Sequence, residues 1–117
     1  MVEGSCHCGK IKLQIDTAPV EVTDCNCSIC RRYGTLWAYY SLKQVRITED
    51  IPTQTYQWDD RALYFHRCAE CGCVTHWSPV DPKRDRMGVN ANLLQPAVLA
   101  AARVHYLDGA SYGGFTR

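Results

Sequence analysis

No run of basic residues longer than Arg31–Arg32 occurs in the chain, and Lys plus Arg exceed Asp plus Glu by only 13 to 12, a formal net charge of +1. So weak a field offers little to a nucleic acid or an anionic membrane surface, and neither partner is expected. Long hydrophobic runs are also missing. The most apolar later stretch, Ala97 to Ala102, falls far short of the roughly 18 residues that suggest a membrane span. The opening Met1-Val2-Glu3-Gly4-Ser5 carries an acid and leads straight into cysteine, where a secretory leader needs a basic start and an apolar stretch of about 7–15 residues. A cytoplasmic protein is expected. No alternation of strand and helix of the thioredoxin type is evident, which argues against a redox role for the CxxC spacings. Internal repeats and low-complexity segments are absent too, apart from the recurrence of cysteine clusters.

What is present is mostly strand. The length of 117 residues suits one domain, 1–117, since domains commonly run to about 100–150 residues. Ile11, Leu13 and Ile15 alternate with Lys12 and Gln14. The stretches Leu36–Tyr40, Val45–Thr48, Thr55–Trp58, Ala62–Phe65 and Val74–Trp77 are rich in β-branched and aromatic residues, which fit a pleated, half-buried surface. A mainly β fold follows. Pro96 followed by Ala97-Val98-Leu99-Ala100-Ala101 predicts one short helix, because proline suits a first helical position. Another single turn fits Cys30-Arg31-Arg32, and the Gly-rich tail from about Ser111 is expected to be mobile.

The eight cysteines carry the chemistry. Cys6 and Cys8 are too close in sequence to bridge each other, because one intervening residue cannot meet disulfide geometry. In a reducing compartment thiols stay reduced, so the set points to metal and not to a disulfide framework. A structural zinc site brings two short-spaced pairs together from distant parts of a chain. In "CHCG" and "CAECG" a glycine, Gly9 or Gly72, directly follows the second cysteine, as suits a tight turn whose N–H groups face the sulfurs. Cys6, Cys8, Cys68 and Cys71 are therefore expected to form one closed zinc site, clamping the N-terminus onto the middle of the chain.

Cys25, Cys27 and Cys30 remain, in "DCNCSICRRYGT". Three thiolates from one loop can hold a second zinc with one position left open, the arrangement that separates catalytic from structural zinc. That position suits an incoming thiol held deprotonated and nucleophilic. Arg31 and Arg32 beside the loop could draw in an anionic substrate, and Tyr33 is the nearest candidate for lining a pocket. His66 and His76 flank "CAECGC" as packing groups more readily than as ligands. Asp24 precedes the loop as a possible acceptor. Cys73, two residues past Cys71 on a strand, is expected beside the first metal as a bystander. The alternative to an enzyme is a structural zinc-binding module without catalysis.

The order CHCG, CNCSICRR, CAECG, then "GVNANLL" and "YLDGAS", from Gly4 to about Ser111, resembles the glutathione-dependent formaldehyde-activating enzyme family, whose domain is shared with centromere protein V. The resemblance implies an Mss4-like fold of small antiparallel sheets stapled by zinc. It also implies a structural zinc on Cys6, Cys8, Cys68 and Cys71, and a catalytic zinc on Cys25, Cys27 and Cys30. The implied reaction is a carbon–sulfur lyase type, the reversible addition of glutathione to formaldehyde giving S-hydroxymethylglutathione.

Overall fold

The computed structural model describes residues 1–112. Ten strands carry it: β1 (Val2–Ser5), β2 (Ile11–Ile15), β3 (Glu21–Cys25), β4 (Trp37–Tyr40), β5 (Val45–Glu49), β6 (Thr53–Tyr56), β7 (Leu63–Cys68), β8 (Val74–Pro79), β9 (Met87–Asn90) and β10 (Arg103–Leu107). Three short α-helices accompany them: α1 (Ser28–Tyr33), α2 (Pro96–Ala101) and α3 (Gly109–Tyr112). The mainly β expectation holds. Most of the tail expected to be mobile lies outside the described residues, and Ser111 and Tyr112 close α3. Among the described residues no helix is long and apolar enough to cross a membrane.

A three-stranded antiparallel sheet, in the order β1-β2-β5, covers one face of a seven-stranded sheet in the order β10-β3-β4-β9-β8-β7-β6. The larger sheet is mixed, because β10 runs parallel to β3. Alternation decides what lies between the sheets. In β2, Ile11, Leu13 and Ile15 are buried while Lys12 and Gln14 face water. Leu13 and Ile15 pack on Val22, Ala38, Tyr40, Met87 and Val89 of the larger sheet, each fully buried aliphatic contributing about 1.5–3 kcal/mol.

The same alternation sends Trp37 and Tyr39 of β4 to the opposite face. There they meet Phe65 of β7, Trp77 of β8, Leu107 of β10 and the cysteine loop before α1. The larger sheet is thus buried against the smaller sheet on one side and carries an aromatic floor on the other. The expected strand over Thr55–Trp58 lies instead at Thr53–Tyr56. The chain leaves it early because the turn into β7 holds Asp59 and Arg61 at positive φ, 55° and 57°, a conformation a strand cannot contain. That turn carries Trp58 over the aromatic floor.

Candidate metal centres

The first site joins the small sheet to β7. Cys6 and Cys8 sit on the turn between β1 and β2, Cys68 ends β7 and Cys71 lies on the turn from β7 to β8. The two turns are built alike. Gly9 has φ 81° and Gly72 φ 78°, left-handed values that a side chain tolerates poorly. Each turn aims backbone N–H groups at sulfur. Ile11 N donates to Cys6 Sγ at 3.3 Å, Lys10 N–H points at Cys8, Cys71 N–H at Cys68 and Cys73 N–H at Cys71. The four Sγ atoms all lie within 4.8 Å of one another.

The spacing tests what such a donor set could hold. Cys6 Sγ and Cys8 Sγ are 3.6 Å apart, as are Cys8 Sγ and Cys68 Sγ. Four sulfurs at about 2.3 Å from a tetrahedral ion would be about 3.8 Å apart, so zinc fits this cluster. Protonation points the same way. The Cys73 N–H, ahead of the Cys8 N–H, brings the Cys71 thiol down to about 5. At Cys8 the Lys10 N–H also pulls downward, but desolvation and the neighbouring Cys68, Cys6 and Cys71 sulfurs outweigh it and push the thiol up to about 12. Four thiolates cannot crowd together unless a cation lies among them.

The second site is local. Cys25 ends β3, Cys27 caps α1 and Cys30 lies in its first turn. Cys27 Sγ accepts from Cys30 N at 3.4 Å, which is the N-cap bond of the helix, so this ligand also starts the helix. Cys27 N donates to Cys25 Sγ at 3.5 Å, and the Trp37 indole Nε1 donates to Cys30 Sγ at 3.3 Å. Burial pushes the Cys30 thiol up against the pull of that indole, and burial likewise raises Cys25. The three sulfurs lie within 4.8 Å of one another, and no further His, Cys, Asp or Glu joins them among the described residues. The three-ligand reading thus matches the geometry.

Asn26, between two of these cysteines, fixes the loop and was not singled out from the sequence. Its backbone N donates to Leu107 O at 3.0 Å, its Nδ2 to Asp108 Oδ1 at 3.1 Å, and its Oδ1 accepts from Ala110 N at 3.0 Å. The "YLDGAS" segment therefore holds the cysteine loop in place. Asn92, from "GVNANLL", donates from Nδ2 to the carbonyl of Gly34 at 3.0 Å, just past the end of α1.

A cleft of about 840 Å³ opens over the loop, and Cys27, Cys30, Trp37, Tyr39, Phe65 and Trp77 help to line it. Arg84 and Arg86, from the turn before β9, also line it. Their signal in the sequence is the alternating Arg-Asp-Arg at the entrance to a strand. Arg31, Arg32 and Tyr33 lie on α1 but are not among the lining residues. The Arg32 guanidinium donates to Ser28 O at 2.8 Å, and Tyr33 packs edge-on against Phe65. Asp24 points to the opposite side of β3 from Cys25. His7 is exposed, and Cys73 packs with Cys6, Ile11 and Cys68 at the first site. His66 and His76 stack on each other, centroids 4.0 Å apart, outside both clusters.

Residues 1–107 match the family model described as glutathione-dependent formaldehyde-activating enzyme. The chain belongs to that family. It is also similar to a protein from Rhodobacter sphaeroides known from a crystal structure, at 27% identity and a TM-score of 0.70, covering 88% of this chain and 99% of that one.

Proposed function

We propose that the protein is a zinc-dependent carbon–sulfur lyase-type enzyme that handles a thiol–aldehyde adduct, such as the adduct of glutathione and formaldehyde. Cys6, Cys8, Cys68 and Cys71 would hold a structural zinc, and Cys25, Cys27 and Cys30 a catalytic one. The observation that carries the proposal is the three-sulfur cluster, with no fourth protein ligand among the described residues, opening into a cleft. Membership of the family supports the reaction class.

In the reaction R–SH + CH2O ⇌ R–S–CH2OH, a carbon–sulfur bond forms and the thiol proton ends on the former carbonyl oxygen. When bound, zinc on three thiolates supplies a place for a fourth, soft ligand and lowers the pKa of a thiol. The chain's own residues do the rest. The backbone N–H groups of Cys27 and Cys30 and the Trp37 indole donate to the cysteine sulfurs and so spread their negative charge. Trp37, Phe65 and Trp77, all buried, wall the loop from bulk water, which strengthens electrostatic interactions inside the cleft. Tyr39 stays protonated there, because burial pushes its hydroxyl up to about 12.

Exchange of labelled formaldehyde between its free form and its glutathione adduct, followed by NMR, tests the proposal. The zinc-loaded protein is expected to accelerate exchange, and Cys27→Ser to abolish the acceleration. Equal exchange rates with and without the zinc-loaded protein would leave a structural zinc-binding module as the better account.

A further inference from the structure

We infer that Arg84 and Arg86 form the anion-binding wall of the cleft, taking a carboxylate of the thiol whose sulfur enters the Cys25, Cys27, Cys30 loop; the second half of this inference rests on the function proposed above. Both guanidiniums lie over the aromatic floor, Arg84 5.5 Å from the Trp77 ring centroid and Arg86 4.4 Å from that of Tyr39. A cation held over a ring by its attraction to the π face does not use up its N–H donors there. Neither makes an ion pair among the described residues. Three acids that also line the cleft, Glu21, Asp59 and Asp60, leave them unpaired. Glu21 is taken by Arg103 at 2.7 Å, and Asp60 accepts from Ala62 N at 3.1 Å.

The residue between them explains how two cations come to share one wall. Asp85 points the other way and is tied down, its Oδ1 and Oδ2 accepting from Ser41 Oγ at 2.8 Å and its Oδ1 from Leu42 N at 2.9 Å. The Ser41 hydroxyl and then the Leu42 N–H hold its carboxyl below the usual carboxylate range. With Asp85 anchored outward, alternation turns both of its neighbours toward the cleft. Asp85 is thus a positioning residue. Tyr39 links the cationic wall to the metal loop, since its ring carries Arg86 and it lines the same cleft as Cys27 and Cys30. A thiol that also carries a carboxylate would engage both parts of the cleft lining. Paired guanidiniums meeting a carboxylate give charge-assisted hydrogen bonds, the stronger kind.

Two titrations of the zinc-loaded protein separate this inference from the function it rests on. Calorimetry with S-methylglutathione, which has the carboxylates but no free thiol, is expected to show binding that weakens at least about tenfold in the Arg84→Gln/Arg86→Gln double variant. Asp85→Ala is expected to weaken it less, and Asp85→Asn, which keeps an acceptor for Ser41, to restore part of the loss. Equal affinity in wild type and double variant, or no binding to either, overturns the inference. Cobalt-substituted protein titrated with glutathione and with its diethyl ester reads the sulfur end. The acid form is expected to perturb the cobalt bands at lower concentration than the ester in wild type only, because the ester removes the charge that the arginines read. Bands that respond to the two forms equally in wild type also overturn the inference. Bands that ignore every thiol, while S-methylglutathione still binds through the arginines, sink the proposed reaction and leave the anion wall standing.

Discussion

The two cysteine sites differ less in their ligands than in how much chain they tie together. Cys8 and Cys68 are 60 positions apart, whereas Cys25, Cys27 and Cys30 fall within one short segment. Cross-linking a loop of that larger size removes about 4 kcal/mol of conformational freedom from the unfolded chain at 25 °C, against about 2 kcal/mol for a loop of six residues. The first site also joins two sheets, while the second is already held by Asn26 and by the helix that Cys27 caps. One site is in a position to support the fold. The other ties together only a short local segment.

Breaking each site in turn should give the largest contrast. Cys71→Ser is expected to abolish cooperative thermal unfolding, because a structural zinc can contribute on the order of 10 kcal/mol to a fold whose whole stability is typically about 5–15 kcal/mol. Cys27→Ser should remain folded and lose one zinc, since serine still caps a helix. About 2 kcal/mol of lost constraint, at about 4 °C per kcal/mol, lowers its melting temperature by about 8 °C. Thermal melts with a zinc count on each purified variant check both. Comparable unfolding in the two would end the division between a fold-supporting site and a local one.

The grouping of seven cysteines into two clusters was readable in the sequence because cysteine spacing is a local property and metal chemistry restricts it. Strands were readable where burial alternates cleanly, as in Ile11-Lys12-Leu13-Gln14-Ile15. They were missed where it does not. Glu21–Cys25 is half polar to look at yet buried at Val22, Thr23 and Cys25 because β4 and β10 flank it. Met87–Asn90 contains Gly88, a residue type depleted in strands; an added Cβ there would lie 2.1 Å from the Trp77 indole nitrogen, so the strand needs glycine in order to pack. Arg103–Leu107 is an exposed edge strand whose parallel partner is about 80 residues away in sequence, and no local pattern announces such a pairing. The arginines of the cleft were missed for a related reason: Arg84 and Arg86 look like a solvated turn until Asp85 is seen bonded to Ser41.

A smaller effect sharpens the comparison by asking which part of the molecule fails first in acid. His76 is buried, and burial, followed by the charge of the stacked His66, lowers it to about 3. The unfolded imidazole takes up a proton near its ordinary value of about 6.5. Between that pH and about 3 the unfolded state therefore binds the extra proton, and stability falls by about 1.4 kcal/mol for each unit of falling pH. His76 bonds Thr75 Oγ1 through Nδ1 at 2.8 Å and stacks on His66, so glutamine can replace it as a neutral polar group. Denaturant unfolding of His76→Gln between pH 7 and pH 5, with zinc release followed in parallel, should give a shallower acid slope than wild type. An unchanged slope would assign acid lability to the cysteine sites instead.

The smallest expected effect belongs to the eighth cysteine. Cys73 is half-buried among Cys6, Ile11, Cys68 and Ile51, beside the first site but outside the four sulfurs that lie within 4.8 Å of one another. Its backbone matters more than its side chain. Cys73 N–H supports Cys71, and Cys73 O accepts from Cys68 N at 2.9 Å; alanine keeps both. The His7 N–H pulls its thiol down, but desolvation and the Cys71 sulfur outweigh that pull and raise it. Cys73→Ala is accordingly expected to keep both zincs and thiol binding at a cost of about 1 kcal/mol, a typical value for a single substitution. Metal analysis and a cobalt titration measure both. If one zinc is lost, Cys73 reaches a metal in solution, and whichever site empties is the one whose ligand count must be redrawn. Loss from the first would make its clamp depend on a fifth sulfur. Loss from the second would close the position on which the thiol reaction depends.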